Sequence, residues 1–346
     1  MRKVLLLLSA LSVLYAEEPG DEFLELLQGD LQKYSQIATE TKQNVDYMPY
    51  VVSVLNNKEL TKLGILNLRE ALSLIPGVDI SITMLGVENP IFRGSNPFAM
   101  GQSKLIIDGI VVNSQMFNAY SQYLDMPIDI IERIEVVRGP GSTLNNVNAY
   151  AGSIHVITKA NNNNKAKKEK SIFASYGSDN YKMGGFVASY ENEDFKLSGD
   201  LFYQEHDKEL PAGPDRLGNS SIAPVWLENY ALGLNVSYKD LYLKSRFSGN
   251  KGGVSYGQSF ILSDDDSDNL DIKNNFAELG YNFDIAKYIK AKLSVSYFYE
   301  SRTLQNKVKP DTSETSNDGI YLLADYAEQT YNQNLEIKIS SFSKIL

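Results

Sequence analysis

A strand, a tight turn and a second strand within residues 130–159 constrain the fold of this chain more than any other stretch. Apolar Ile134 and Val136 alternate with charged residues, which is the two-residue period of a strand with one buried face. A Gly-Pro-Gly segment ends this strand, and a polar loop leads to a second alternating run at 154–159. The stretch therefore predicts two strands of one sheet, joined by a turn and a loop.

The same stretch resembles the end of the plug domain of TonB-dependent outer-membrane receptors. That family's pattern, from R-I-E-V through R-G-P to I-T-K, lies in register without a gap over residues 133–159. The local departures from the pattern are Asn145 and Asn146 for Tyr-Gly, Ala151 for the first Gly of a pair, Ser153 for an apolar residue, and His155 for Asn. Because Asn tolerates positive φ better than other non-glycine residues, Asn146 is expected to keep the turn.

Five markers of this family occur in the family's order, at 76–78, 93–94, 107–109, 133–140 and 149–159. Asp108-Gly109, between apolar runs, predicts a type I′ hairpin because both central residues of that turn need φ > 0. Leucines at helical spacing over 58–74 predict one helix, or two broken near Gly64. The resemblance implies a plug domain at 37–160, of α+β class.

After a polar linker at 161–170, strand-like segments of alternating apolar and polar residues recur, with many tyrosines and phenylalanines. Runs of about 10 residues with this period are typical of transmembrane β-barrel strands. A soluble β-sandwich is the alternative. The pattern predicts nine antiparallel strands, near 171–177, 181–190, 194–205, 229–238, 241–250, 271–283, 289–301, 319–326 and 329–341. Short turns near 192, 239, 286 and 327 alternate with longer connections near 214, 258 and 309.

The predicted barrel segment at 171–346 is expected to be incomplete, since plugged transporters of this kind have about 22 strands and nine are predicted here. An open half-barrel exposes unpaired backbone groups to lipid, at several kcal/mol for each group. The C-terminal residues also lack the aromatic residue that usually ends the family's last strand. The expectation is a truncated receptor that alone does not form a sealed transport barrel.

The N-terminal 16 residues have the form of a secretory signal peptide, with two basic residues, an apolar run and the small Ala16. The apolar run is shorter than the roughly 20 residues of a membrane-spanning helix. A leader at 17–36 follows, so the mature chain is expected to begin near Glu17 outside the cytoplasm.

Composition excludes several classes of site. A net charge of −10 argues against nucleic-acid binding, which needs clustered Lys and Arg. The absence of cysteine removes disulfides, Cys nucleophiles and zinc-thiolate sites, and two histidines, His155 and His206, are too few for a His-based metal cage. Composition therefore excludes these sites, and with the resemblance to a receptor the chain is expected to have no catalytic residues, no cofactor and no metal site.

Two motifs resemble a phosphate-binding loop and a calcium-binding loop. The Gly-rich turn at 139–142 lacks the G-x-x-x-x-G-K pattern of a phosphate-binding loop. Asp264, Asp266 and Asp268 have the spacing of a calcium loop, but asparagines hold the positions of its glycine and its last glutamate. Both motifs are therefore expected to be ordinary solvated loops.

Further site residues are implied by the resemblance. TonB is expected to contact Ile37, Ala38 and Thr39, although no run there spells a clear TonB box. Plug loops after the Arg-Gly strand and after the Asp-Gly hairpin are expected to contact ligand, through Ser95, Asn96, Phe98, Met100, Asn113, Gln115 and Phe117. Contacts between plug and barrel, released by TonB, are expected at Arg93, Arg133, Glu135 and Arg138. Ordinary solvation at a sheet surface is the alternative for these charges.

The resemblance implies an active-transport receptor in outer-membrane lipid, with the plug on the periplasmic side and in the barrel lumen. Its partners would be the TonB energy-coupling protein and a scarce ligand, ferric siderophores first, with cobalamin, haem and other chelates behind. A non-transporting adhesin or surface-binding module on the same scaffold is the alternative. A working TonB box distinguishes the two.

Overall fold

The computed structural model describes residues 34–35, 43–44, 51–82, 87–95, 102–139, 149–161, 170–211, 213–218, 220, 222–254, 262, 268–309 and 320–339. Several predicted features lie outside these ranges: the signal peptide, most of the leader and of the linker, Ile37, Ala38, Thr39, Asn96, Phe98, Met100, Asn146, Asp264 and Asp266.

The first structural unit, called the plug here, comprises the described residues 51–161. Its strands are β3 Val51–Asn56, β4 Val78–Ile82, β5 Glu88–Phe92, β6 Ser103–Ile107, β7 Ile110–Val111, β8 Ile131–Arg138 and β9 Gly152–Thr158. Before this unit, β1 at Tyr34–Ser35 pairs with β2 at Gln43–Asn44. The five-stranded sheet of the plug has the order β3-β8-β9-β6-β7, in which β6 and β9 are parallel and the other neighbours are antiparallel. Strands β4 and β5 form a separate hairpin.

Two short helices pack beside these strands, α1 at Asn57–Lys62 against β3 and β8 and α2 at Leu68–Ser73 against β4. Of the two alternatives for residues 58–74, one helix or two, the structure has two, and Gly64 lies between them at φ +72°. Asn67 caps α2 by accepting a 3.0 Å hydrogen bond from the backbone N–H of Glu70. Single 3₁₀ turns lie at Ser121–Tyr123, Ile128–Ile130 and Lys159–Asn161.

The interior of the plug is apolar. Side chains of both helices meet those of the central strands, and Leu72, Leu105, Ile134 and Ile154 are fully buried. Each such side chain contributes about 1.5–3 kcal/mol by leaving water. The plug thus has a hydrophobic core of its own.

The second unit is one antiparallel sheet of eight strands in chain order. Its strands are β10 Lys170–Tyr176, β11 Lys182–Glu191, β12 Phe195–Pro211, β13 Ile222–Tyr238, β14 Leu241–Gly253, β15 Asn269–Ala286, β16 Ile289–Lys309 and β17 Ile320–Ile339. Short turns at 192–194, 239–240 and 287–288 alternate with longer connections, as predicted.

The predicted count of nine strands is wrong, because the segments at 319–326 and 329–341 form the single strand β17. Ala327, where a turn was predicted, pairs with Ser301 of β16. The sequence around Ala327 holds no Gly, Pro or Asn to break the strand, so pairing with β16 continues through it.

The two faces of the large sheet differ in polarity. Leu201, Leu232 and Leu293 are exposed on the face away from the plug, whereas Asp200 and Gln204 on the opposite face are buried. Apolar-out and polar-in alternation is typical of strands that span a membrane as a barrel wall. Within the described part of the chain the sheet is open, with β10 and β17 at its edges. The need for further strands to seal a barrel stays a prediction.

None of the helices in the described ranges is both long enough and apolar enough to cross a membrane.

Candidate functional site

The candidate site is the contact between the plug and the polar face of the large sheet, called the plug–sheet interface. On the plug side it comprises Asp108, Ser114–Phe117, Gln122, Tyr123 and Asp125. On the sheet side it comprises Asp200, Gln204, Lys244, Arg246, Ser248, Asn274, Glu300, Arg302, Tyr326 and Glu328.

The Asp-Gly hairpin forms one end of this interface. Asp108 and Gly109 have φ of +52° and +85°, and Ile107 pairs with Ile110, so the predicted hairpin is confirmed. The Asp108 carboxylate accepts hydrogen bonds from the backbone N–H of Thr158 at 2.9 Å and from its hydroxyl at 2.8 Å. Burial raises the pKa of this carboxyl, and the two hydrogen bonds oppose that effect. The family marker at 107–109 is thereby tied to the end of the marker at 149–159.

The tip of the hairpin docks on β14. The ammonium group of Lys244 donates a 3.0 Å hydrogen bond to the backbone carbonyl of Asp108. Beside it, Arg246 and Asp200 form a buried 2.8 Å ion pair on the sheet. A Cβ atom at Gly233 would lie 2.6 Å from the Arg246 guanidinium and 2.7 Å from the Asp200 carboxylate, so any larger residue there would displace the ends of these two side chains.

Polar side chains also make the contacts at the centre of the interface. The Gln122 amide donates to the Asn274 side-chain oxygen at 3.2 Å, and Asn274 donates in turn to Glu300. Ser248 donates to the Tyr123 hydroxyl at 3.3 Å, and burial raises the pKa of Tyr123 to about 12, so this hydroxyl is neutral at pH 7.

A third group of contacts joins β12 to an ion-pair cluster in the plug. The Gln204 amide donates a 2.7 Å hydrogen bond to the backbone carbonyl of Asp125. The Asp125 carboxylate lies 3.1 Å from the Arg69 guanidinium, which also contacts Glu88 at 2.6 Å. Burial raises the pKa of both carboxyls, whereas Arg69 lowers it. Arg69 thus links α2, β5 and the segment that touches β12.

At the other end of the interface, the loop at 114–117 lies against β16 and β17. Glu328 accepts hydrogen bonds from the backbone N–H groups of Gln115 and Met116, at 2.8 and 2.7 Å. The Phe117 ring meets the Tyr326 ring edge to face, with centroids 5.7 Å apart.

The predicted ligand-contact residues within the described ranges have different surroundings. Asn113 is fully buried, and its amide bonds the backbone at Leu105, Ser103 and Asn118, which fits a structural role better than ligand contact. Gln115 and Phe117 lie in the loop that touches β17. The Ser95 hydroxyl accepts a hydrogen bond from the Phe92 N–H at 3.3 Å. Ligand contact at Ser95, Gln115 and Phe117 stays a prediction.

The charged residues predicted to join plug and barrel make contacts inside the plug. Arg133 pairs with Glu135 at 2.8 Å along β8. Arg138 donates to the Pro76 carbonyl and to the Ser53 hydroxyl. Its pKa is lowered by burial and by the positive charge of Arg93. Three family markers therefore converge at this point, and the role of these residues against a barrel wall stays a prediction.

Sequence reasoning missed the sheet residues that do contact the plug, Gln204, Lys244 and Glu328 among them. The sequence pattern places each of them on the polar face of its strand, but it does not show that they contact the plug. Within the described ranges, no three His, Cys, Asp or Glu side chains are grouped so that they could hold a metal ion.

Comparison with known proteins agrees with this arrangement. Residues 44–153 match the family model of the TonB-dependent receptor plug domain. Two proteins named vitamin B12 transporter BtuB, from Vibrio vulnificus strains CMCP6 and YJ016, are 29% and 28% identical over 136 and 158 residues. These alignments cover 39% and 44% of this chain, and 21% and 24% of the relatives.

Solved structures share the fold at low identity. The ferric yersiniabactin uptake receptor FyuA from Yersinia pestis has a TM-score of 0.61 at 14% identity, over 85% of this chain and 46% of its own. The ferric-catecholate import receptor Fiu from E. coli K12 has a TM-score of 0.59 at 16% identity, over 86% and 47%. The chain thus spans less than half the length of these proteins. Residues 44–153 are thus similar to the plug domain of TonB-dependent receptors, and the eight-stranded sheet resembles part of the barrel of the solved outer-membrane receptors.

Proposed function

We propose that this protein takes up a scarce ligand across the outer membrane, with the plug as the gate and TonB as the source of force. The proposal rests on the contrast between the interior of the plug and its contact with the large sheet. The plug has an apolar core, whereas several of its described contacts with the sheet are hydrogen bonds between polar groups.

Such an interface suits a gate because, when the plug leaves the sheet, the groups that were hydrogen-bonded across it can bond to water instead. A neutral hydrogen bond contributes about 0.5–1.5 kcal/mol net, since the freed groups bond to water instead. Apolar groups of the plug core have no such substitute in water. A pull on the plug is therefore expected to break the interface before it unfolds the core.

The segment at 37–39 is the proposed TonB contact. Residues 37–39 lie outside the described ranges; in the chain they come after β1 at Tyr34–Ser35 and before β2 at Gln43–Asn44, two strands that pair with each other. An extended segment pairs with a partner through its backbone by adding a strand. Arg93 and Arg138 are the proposed point of attachment of the plug to a barrel wall, because two neighbouring positive charges favour carboxylate partners.

Ferric siderophores are the proposed ligands. FyuA and Fiu, which share the fold over most of this chain, are named as receptors for ferric chelates. Vitamin B12 is the second candidate, because the two curated relatives are named as its transporters. The loop residues Ser95, Asn96, Phe98, Met100, Gln115 and Phe117 are the proposed contacts.

Uptake of radiolabelled ferric siderophores and of cyanocobalamin tests this proposal, in cells that express the chain within a sealed barrel, with and without the energy-coupling protein. Uptake of one ligand is expected, and it is expected to need TonB. Ile37→Pro removes a backbone donor from the contact segment and is expected to abolish uptake, whereas Ile37→Val retains it. Uptake that persists without TonB, or binding without any uptake, would contradict the proposal, and the second result would favour a surface-binding protein.

A further inference from the structure

A single carboxylate of the sheet holds two consecutive backbone groups of a plug loop. Glu328 of β17 accepts from the N–H of Gln115 at 2.8 Å and from that of Met116 at 2.7 Å, between residues more than 200 positions apart in the chain. Hydrogen bonds to a charged group are about twice as strong as neutral ones. Two of them on one carboxylate fix both the position and the direction of the loop.

The next residue of the loop is also held. The Phe117 ring lies edge to face against Tyr326, with an interplanar angle of 90°, and the Arg302 guanidinium lies 5.1 Å from its centroid. Aromatic pairs and cation–π contacts of this kind add to the area that they bury. Arg302 is itself held by Glu300, at 2.5 Å. Two neighbouring strands of the sheet thus fix three successive loop residues.

The loop has a second attachment at its other end. It follows β7, whose hairpin docks on Lys244 through the Asp108 carbonyl. Lys244 is near the start of β14 after a short turn, whereas Glu328 is in the half of β17 that follows a longer connection. The segment from Asp108 to Phe117 therefore spans the interface between two separate anchors.

We propose that Glu328 is a positioning residue, which anchors the 114–117 loop of the plug to the sheet and whose bonds break when the plug rearranges. The anchoring itself depends only on the contacts above. Its release during transport rests on the proposed function. The side chains of Gln115 and Met116 are exposed beside the anchor, so a ligand that reaches the loop has direct access to it.

Amide hydrogen exchange on the full protein in detergent, resolved to single residues, tests the anchor. In Glu328→Gln the carboxamide oxygen is neutral and offers a weaker acceptor to the two amides. Exchange at Gln115 and Met116 is expected to become about tenfold faster, as follows from the loss of one charge-assisted hydrogen bond. Exchange in β8 and β9 is expected to stay unchanged.

Glu336→Gln is the matched control. Glu336 lies on the same strand an even number of residues away, so it points to the same face, and it pairs with Lys338 at 3.1 Å. This variant is expected to leave exchange at Gln115 and Met116 unchanged. Glu328→Asp keeps the charge on a shorter side chain, and it is expected to give an exchange rate between wild type and Glu328→Gln.

Two results would overturn the anchor: unchanged exchange at Gln115 and Met116 in Glu328→Gln, or faster exchange spread equally over β8 and β9. Exchange on the wild-type protein with an added ferric siderophore or cyanocobalamin tests the release: faster exchange at the same two amides is expected, and unchanged exchange with a probe that binds would overturn the release. Uptake by wild-type cells is a separate measurement. Its failure would remove the proposed function and leave the anchor in place.

Discussion

The interior of the plug and its contact with the large sheet are filled by different kinds of side chain. Leucine and isoleucine fill the plug between its helices and its sheet. At the plug–sheet interface the buried residues are mainly Ser, Asn, Gln, Asp, Glu and Arg, although Val187, Phe202 and Ala231 of the sheet join the apolar cluster. One region therefore holds the plug folded, and the other holds it in place.

Because the two regions are built differently, the stability of the plug fold and the stability of its attachment to the sheet can change independently. Removal of apolar side chains leaves cavities and weakens the plug itself. Removal of one interface hydrogen bond weakens attachment by much less, because solvent satisfies the freed groups. Substitutions in the two regions should therefore differ in size and in what they disturb.

The largest effect is expected from the plug core. Leu72→Ala removes a fully buried side chain of α2 and is expected to lower the free energy of unfolding of the plug by about 2–5 kcal/mol. Pulse proteolysis in urea measures this on the purified protein. Leu63→Ala is the control, since Leu63 is 67% exposed. Equal effects of the two substitutions would contradict the assigned core.

A substitution at the hairpin tip should disturb both regions. Gly109→Val places a β-branched residue at φ +85° and is expected to cost about 1–3 kcal/mol. It also displaces the tip that accepts from Lys244, so faster proteolysis of the plug and faster exchange at the tip should appear together. Gly218→Val, at φ +83° in a connection of the large sheet, tests whether the plug effect is specific. A plug of wild-type stability in Gly109→Val would rule out the hairpin.

Acid should weaken the plug through His155. Burial lowers the pKa of His155 to about 3, below the unfolded value of about 6.5, so its contribution to stability is present above pH 6.5 and is lost as the pH falls. The loss is about 1.4 kcal/mol for each pH unit below 6.5. Burial raises the pKa of the Asp108, Asp125 and Glu88 carboxyls, so these groups make the plug more stable as the pH falls. Because this effect opposes that of His155, wild type and variant must be compared at each pH.

The comparison uses His155→Asn, which restores the residue of the family pattern. The free energy of unfolding, measured in urea, is expected to fall less steeply from pH 7 to pH 5 in this variant than in wild type. His206→Asn, on the large sheet, serves as the control for the other histidine. Parallel pH profiles of wild type and His155→Asn would show that His155 is not buried as a neutral group.

The smallest effect is expected at the interface. Gln204→Ala removes the 2.7 Å hydrogen bond to the Asp125 carbonyl and is expected to weaken plug attachment by about 0.5–1.5 kcal/mol. The plug should still unfold at the wild-type urea concentration, while a lower concentration releases it from the sheet. Gln329→Ala, an exposed glutamine of β17, is the control. If Gln204→Ala lowers plug stability as much as Leu72→Ala, the two regions are not separable.

Local signals in the sequence predicted local structure well. Asp108-Gly109 predicted its hairpin because the φ values of two adjacent residues decide the turn. The strand count failed at Ala327 for the opposite reason: whether a strand ends there depends on its partner, and β16 continues to pair with it. The two-residue period was present on both sides of the supposed turn, so periodicity alone did not locate the end.

The sequence by itself determined the family markers, the polarity of the two faces of each strand and the hairpin, because each depends on residues close together in the chain. Only the tertiary structure decided which polar residues meet. Glu328 and Gln115 are 213 positions apart, and Gln204 and Asp125 are 79 apart. A two-residue pattern shows that such residues point inward, but the partner of each is fixed by strand register and by the placement of the plug on the sheet.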